Sequence, residues 1–230
     1  MHLTTNRLIA ASGLCAAVAG ALFIGVQINH PPADLEHLMS GDIVVRQTAK
    51  AVMAALALAG VTGLFVRCHR RFGVLGLVGY VLISIGYLAM FAVQCIVGYV
   101  LPTVARTSPE YVRDVIDAVM GRSTSGDIGA LAGLFLVMGL GYAVGGLLFG
   151  IALFRTGIVS RWAAALFAYG TVSALALAVL PESFSRPFAV PTGVALIGLG
   201  VSLWRDQRHE TETEIVDAPA TAPVAVPAGR

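Results

Sequence analysis

Six apolar stretches, each long enough to cross a bilayer, run from Leu8 to Ile28, Ala49 to Val66, Val74 to Leu101, Ile128 to Phe154, Trp162 to Leu180 and Phe188 to Trp204. A hydrocarbon core of ~30 Å takes about 20 apolar residues of helix. Inside it only helices or closed barrels satisfy their own backbone groups. The pattern predicts an all-α fold, a polytopic membrane bundle of six transmembrane helices. Of the 230 residues 57% are hydrophobic and 12% are charged. A soluble domain carries about 25% charged residues, so a soluble reading is excluded.

The charges between the stretches set an orientation. Arg7 precedes the first; Arg67, Arg70 and Arg71 follow the second; Arg155 and Arg161 flank the fourth-to-fifth turn; Arg205 and Arg208 close the sixth. The opposite loops hold six basic residues, Arg46, Lys50, Arg106, Arg113, Arg122 and Arg186, against eight acids. By the positive-inside rule both termini are cytoplasmic. Arginine outnumbers lysine fourteen to one, and alanine, valine and glycine dominate. That usage fits a high-GC bacterium, and the expected location is its cytoplasmic (inner) membrane. The first stretch, of about 21 residues, is longer than a signal-peptide core and reads as an uncleaved helix. Residues 1–208 form the transmembrane domain; from His209 the acid- and threonine-rich and then Pro/Ala/Val sequence reads as a disordered cytoplasmic tail, 209–230.

Several chemistries lack their residues. A net charge of +2, dispersed along the chain, gives no basic stripe for nucleic acid, so no nucleic-acid partner is expected. Cys15, Cys68 and Cys95 show no CxxC spacing and read as packing residues. His30, Asp34 and His37 have ligand-like spacing, but Pro31 and Pro32 oppose a continuous helix there and no downstream ligands complete a set; neither a metal nor another cofactor is expected. Beyond Lys50 no charged residue lies within the apolar stretches, which disfavours a proton relay through the centre.

Small residues indicate how the helices meet. Gly141 and Gly145, and Gly146 and Gly150, form two GxxxG spacings in the fourth stretch, which makes it central to the packing. The same four glycines also offer a face for oligomerisation. Similar hairpin signatures recur, with Tyr80 and Tyr169, and Ser84 and Ser173, 89 residues apart. They point to three hairpins in parallel, a pattern that positive-inside topology and aromatic belts also generate.

A polar stripe marks the third stretch. Tyr80, Ser84, Tyr87, Phe91, Gln94 and Gly98 follow at intervals of four and three, and so share a helix face. In hydrocarbon such a face belongs against the bundle interior. It reads either as interhelical hydrogen bonding or as a pocket whose hydroxyl and amide groups orient an amphipathic ligand. Tyr142, Tyr169, Thr171 and Ser173 are expected to line the same interior. In the long outer loop, Ser108 caps a short amphipathic helix with Pro109 and Glu110 in its first turn and Gly121 as its stop. Tyr111, Val112, Val115, Ile116, Val119 and Met120 form its apolar side, opposite Arg113, Asp114 and Asp117, so it reads as a lid lying on the outer surface. A weaker version lies in the first outer loop, with Leu35, Leu38 and Met39 stopped by Gly41. Arg46 and Lys50 stand where the second helix enters the interface, as snorkelling anchors or partners for Asp42, Asp127 or a lipid phosphate.

The run GLLFGIALFRTGIVSRWAAALFAYG, Gly146 to Gly170, resembles the fourth-to-fifth helix turn of small actinobacterial six-helix membrane proteins, including the DUF4386-like group. The resemblance implies a helical bundle in a bacterial inner membrane and carries no activity or functional residue. The expected function is to bind or move a lipid-like or amphipathic small molecule, with membrane lipids as partners and no catalysis. The alternatives are a membrane enzyme of the terpene cyclase type, with Asp127 and Glu182 as its acids, and a structural subunit of a membrane assembly. The enzyme needs two carboxyls converging on one pocket.

Overall fold

The computed structural model describes the backbone of residues 5–28, 32–176 and 182–216, and side chains over 5–28, 32–173 and 189–208. Among the described residues every regular element is helical. These are α1 (Thr5–Gly25), α2 (Leu35–Leu38), α3 (Ile43–Cys95), a π-helical turn (Ile96–Val100), α4 (Leu101–Val104), α5 (Pro109–Val119), α6 (Ala130–Thr156), α7 (Arg161–Ala176) and α8 (Glu182–Val216). Three helical segments are long and apolar enough to cross a membrane: Thr5–Gly25, Ile43–Val104 and Ala130–Thr156.

The second of these segments is a hairpin. Gly73 takes φ 58 and ψ −163, a conformation essentially reserved for glycine, in the middle of α3. The two arms then run back along one another. Thr62 Oγ1 lies 3.2 Å from the Tyr80 hydroxyl, Thr48 Oγ1 lies 2.6 Å from that of Tyr99, and Gly98 sits over the Gln47 side chain. The second arm ends in the π-helical turn just before Pro102. Proline has no N–H, and its ring crowds the carbonyl of residue 98, so the turn there widens.

The arms pack side by side with their neighbours in the sequence, and the last returns to the first. A Cβ on Gly60 would stand 2.6 Å from Ala16 Cβ, joining α1 to the first arm of α3. One on Gly79 would stand 2.5 Å from Phe149 N, joining the second arm to α6. Gly150 meets Ala168 on α7, and Gly170 meets Thr192 on α8. Gly13 and Gly20 then lie against Gly200 and Gly193, which closes the ring between α8 and α1. Lipid supplies no hydrophobic drive between helices, so dispersion at such close approaches has to hold them. Gly141 and Gly145 face α3, and Gly146 and Gly150 face α7; all four are buried within the chain's own packing. The filled centre includes Leu64, Val61, Ile83, Tyr87, Phe149, Phe167, Leu196, Leu199 and Leu203.

A second, smaller core lies at the end of the bundle that carries α2 and α5. Leu38, Leu101, Ala105, Val112, Val115 and Ile128 bury one another there. Helix α5 begins where its sequence predicts and ends before Gly121, which has φ 69. Two details differ. The Ser108 side chain makes no capping bond. Asp114, expected on the polar side, is buried, because Ser125 folds back and donates to Asp114 Oδ1 from its backbone N (2.8 Å) and its hydroxyl (2.9 Å). Val119, expected on the apolar side, is exposed. At the other end of the bundle Arg67 Nε donates to Asp206 Oδ2 at 2.6 Å, tying α3 to α8. Helix α8 continues to Val216, past the His209 boundary drawn from composition; residues 217–230 lie outside those described.

Candidate functional site

The third-helix stripe does not enter the bundle as one face. Buried on this arm are Gly79, Ile83, Gly86 and Val93, each one residue before a member of the stripe. One residue is about 100° of helix rotation. The glycines decide the rotation, because only they let α6 approach: a Cβ on Gly86 would stand 2.5 Å from Tyr142 N. The stripe therefore lies on the flank of the buried face, and its members part company.

Tyr80 joins an aromatic stack near the hairpin turn, 4.2 Å centroid to centroid from Phe65 and 6.3 Å from Phe149. Its hydroxyl is engaged with Thr62. Phe91 is exposed, Gln94 is half-buried, and Gly98 is buried against Gln47. Tyr87 alone reaches the centre of the ring. It is 0% exposed, its ring is edge-on to Tyr142 at 5.8 Å, and its hydroxyl has no hydrogen-bond partner among the described residues. Ser84 Oγ, one turn before it, is buried and likewise without a partner among those described.

Tyr142 extends the polar centre. It stacks on Phe23 of α1 at 6.5 Å and donates weakly to Thr192 Oγ1 of α8 at 3.4 Å. Four helical segments thus converge there, with Tyr87, Tyr142 and Thr192 as the polar groups and Phe23 as an aromatic wall. The sequence pattern did not single out Phe23 or Thr192. The available signal was that Thr192 is one of only two hydroxyl residues in the otherwise apolar run Phe188 to Trp204.

Other expected members lie elsewhere. Tyr169 is 57% exposed on the outside of α7. Thr171 and Ser173 are buried but bond to their own helix, Thr171 Oγ1 to the Phe167 carbonyl at 3.0 Å and Ser173 Oγ to that of Gly170 at 2.9 Å. Asp127 is exposed and accepts from Gly129 N at 2.7 Å, a local turn contact. The side chain of Glu182 lies outside the described residues, so the pair of converging acids that cyclase chemistry needs is not formed by Asp127 among those described.

At the α2 and α5 end Arg46 Nε donates to Asp42 Oδ2 at 2.5 Å. The Ser40 hydroxyl and Arg46 together hold the Asp42 carboxyl down at about 2. Lys50 is half-buried one turn further along the helix. Asp34 caps α2 by accepting from His37 N at 2.8 Å, and its oxygens also engage His37 Nδ1 at 2.7 Å. The backbone bond, then the ring contact, lowers the Asp34 carboxyl from its ordinary range. His30, the third member of the ligand-like spacing, lies outside the described residues; among those described no three His, Cys, Asp or Glu residues gather as a metal site.

No protein-family model, curated protein or solved structure matches the chain.

Proposed function

We propose that this chain is a six-pass protein of a bacterial cytoplasmic membrane, both termini in the cytoplasm, that binds or moves a lipid-like or amphipathic small molecule. The six passes are α1, the two arms of α3, α6, α7 and α8. The positive residues at the Arg67, Arg155 and Arg205 end support the orientation. Membership in the small six-helix group that Gly146 to Gly170 resembles belongs to the same proposal and rests on that segment.

One observation carries the binding reading. The Tyr87 phenol is fully buried and has no partner among the described residues, and the Ser84 hydroxyl one turn away is also buried without one. An unsatisfied buried polar group costs about 1–3 kcal/mol, so each of these two hydroxyls calls for a polar partner. Ile83, beside Ser84 on the same arm, and Phe23, stacked on Tyr142, belong to the apolar core around this centre. A mostly hydrocarbon ligand with one hydroxyl or carbonyl group fits such surroundings.

Native mass spectrometry with lipid analysis, on the full chain purified in mild detergent, tests this. The expected result is a specific isoprenoid or lipid-like compound that co-purifies and is depleted several-fold by Tyr87→Phe and by Ser84→Ala. Bulk phospholipid alone, identical in wild type and both variants, would refute it.

A further inference from the structure

A groove of about 450 Å3 opens on the outside of the ring between α7 and α8. At Gly198 the start of α7 comes close to α8: a Cβ there would stand 2.6 Å from the rim of the Trp162 indole and 3.0 Å from Ala163 Cβ. Its wall is apolar, formed by Val194, Ile197 and Val201. Its far end is polar, where Ser160, Ser202 and Arg205 meet.

The polar end has spare donors. Ser160 N donates to Ser202 Oγ at 3.0 Å, which leaves the Ser202 hydroxyl hydrogen free to point outward. Arg205 is exposed, with no ion pair, hydrogen bond or ring contact among the described residues. Its neighbours at this end are otherwise occupied: Arg67 by Asp206, Arg161 by the face of Phe154, and Arg208 by the face of Trp204. Trp162, 58% exposed beside the groove, has the apolar body and N–H tip favoured at a membrane interface.

The dimensions select the occupant. From Val194 to Arg205 the helix rises about 16 Å at ~1.5 Å per residue, close to the ~15 Å of hydrocarbon in one leaflet. We propose that this groove seats one anionic glycerophospholipid of the inner leaflet. Its phosphate pairs with the Arg205 guanidinium and the Ser202 hydroxyl, and one acyl chain lies along Val194, Ile197 and Val201. A guanidinium binds a phosphate through two parallel charge-assisted bonds. The anionic headgroup complements the arginine, and the apolar wall gives the chain a fixed bed. The seat rests on the membrane-spanning reading and is separate from the Tyr87 centre.

The full chain is reconstituted in nanodiscs of equimolar phosphatidylglycerol and phosphatidylcholine, and the first lipid retained on ejection is identified by native mass spectrometry. Wild type is expected to retain phosphatidylglycerol preferentially. Arg205→Gln lowers that preference roughly tenfold. Val194→Trp, which fills the exposed wall without touching Arg205, lowers retention of either lipid. Arg70→Gln, an exposed arginine at the same end but outside the groove, changes neither. An unchanged preference in Arg205→Gln, an equal fall in Arg70→Gln, or a bound mass equal to a second copy of the chain would overturn the proposal. Failure of the chain to enter nanodiscs would overturn it together with the membrane reading, whereas loss of the Tyr87 ligand alone leaves it standing.

Discussion

Replacing Gly86 by alanine tests the packing that defines the interior. A Cβ at Gly86 would lie 2.5 Å from Tyr142 N, 2.7 Å from the Gly141 carbonyl carbon and 3.0 Å from Tyr142 Cα. All three are backbone atoms, so no side chain can swing away. Opening the 2.5 Å approach to an ordinary 3.4 Å contact means parting the second arm of α3 from α6 by 0.9 Å. A gap of that size forfeits roughly a quarter to a half of each dispersion well along the crossing, and overpacking of this kind costs about 1–3 kcal/mol. Alanine in place of a helical glycine returns up to about 1 kcal/mol. The expected balance for Gly86→Ala is a loss of roughly 1–2 kcal/mol. Gly139→Ala, on α6 with nothing within 4 Å of its Cβ, should gain about 0.5–1 kcal/mol. Unfolding by a denaturing detergent, followed by the fluorescence of Trp162 and Trp204, measures both. Gly141→Ala forces the same crossing apart, so the double variant with Gly86→Ala should lose less than the two single losses together. A Gly86→Ala protein as stable as Gly139→Ala, or strictly additive losses, would refute the close crossing.

At the hairpin, Gly73→Ala should cost about 1–3 kcal/mol in the same assay, from backbone strain alone, since nothing lies near its Cβ position. Gly73→Asn should be no better, because ψ −163 lies outside the left-handed helical well that asparagine tolerates. Thr192→Val keeps shape but removes the acceptor of the Tyr142 hydroxyl; a loss near 1 kcal/mol is expected, and a gain would show that this weak bond is not a working one. In the smaller core at the α2 and α5 end, the bonds from Ser125 N and then its hydroxyl hold the Asp114 carboxyl below its ordinary value of 3.8. A lowered folded-state value means stabilisation that is complete above 3.8 and is lost as pH falls through the folded-state value. Pepsin cleavage within 109–126 should therefore accelerate as pH is lowered below 3.8 in wild type, and more than in Asp114→Asn, whose side chain does not titrate; identical profiles would remove Asp114 from the account.

The sequence made the helical class plain because the hydrocarbon-length runs leave the backbone no other solution. It also made the close contacts legible, since Gly141, Gly145, Gly146 and Gly150 lie where α6 meets α3 and α7. The rotation of the third apolar stretch was harder to read. Counting polar residues put Tyr80, Phe91 and Tyr87 on one inward face, whereas the glycines one position earlier take that face and leave Phe91 outside. In a membrane the smallest residues compete for the interior as strongly as the most polar ones. Asp114 was misread for a different reason. Helical periodicity places it with Arg113 and Asp117, but its burial comes from Ser125, eleven residues on, and no local spacing encodes that return. Thr192 and Phe23 reach Tyr142 from opposite ends of the chain, a convergence visible only once the ring is closed.

Ring closure sets a timetable for the nascent chain. Gly13 and Gly20 leave the ribosome long before the partners that cover them, Gly193 and Gly200, which follow most of the helical domain. At roughly 5–20 residues per second, the first helix waits on the order of ten to thirty seconds with its glycine face open to lipid. During that interval α1 is held by the first arm of α3, through Ala16 and Ser12, and later by the stacking of Phe23 on Tyr142 of α6. An insertion factor that shelters exposed helix faces has its longest task here, and a truncation before Gly193 leaves the glycine face of α1 permanently bare.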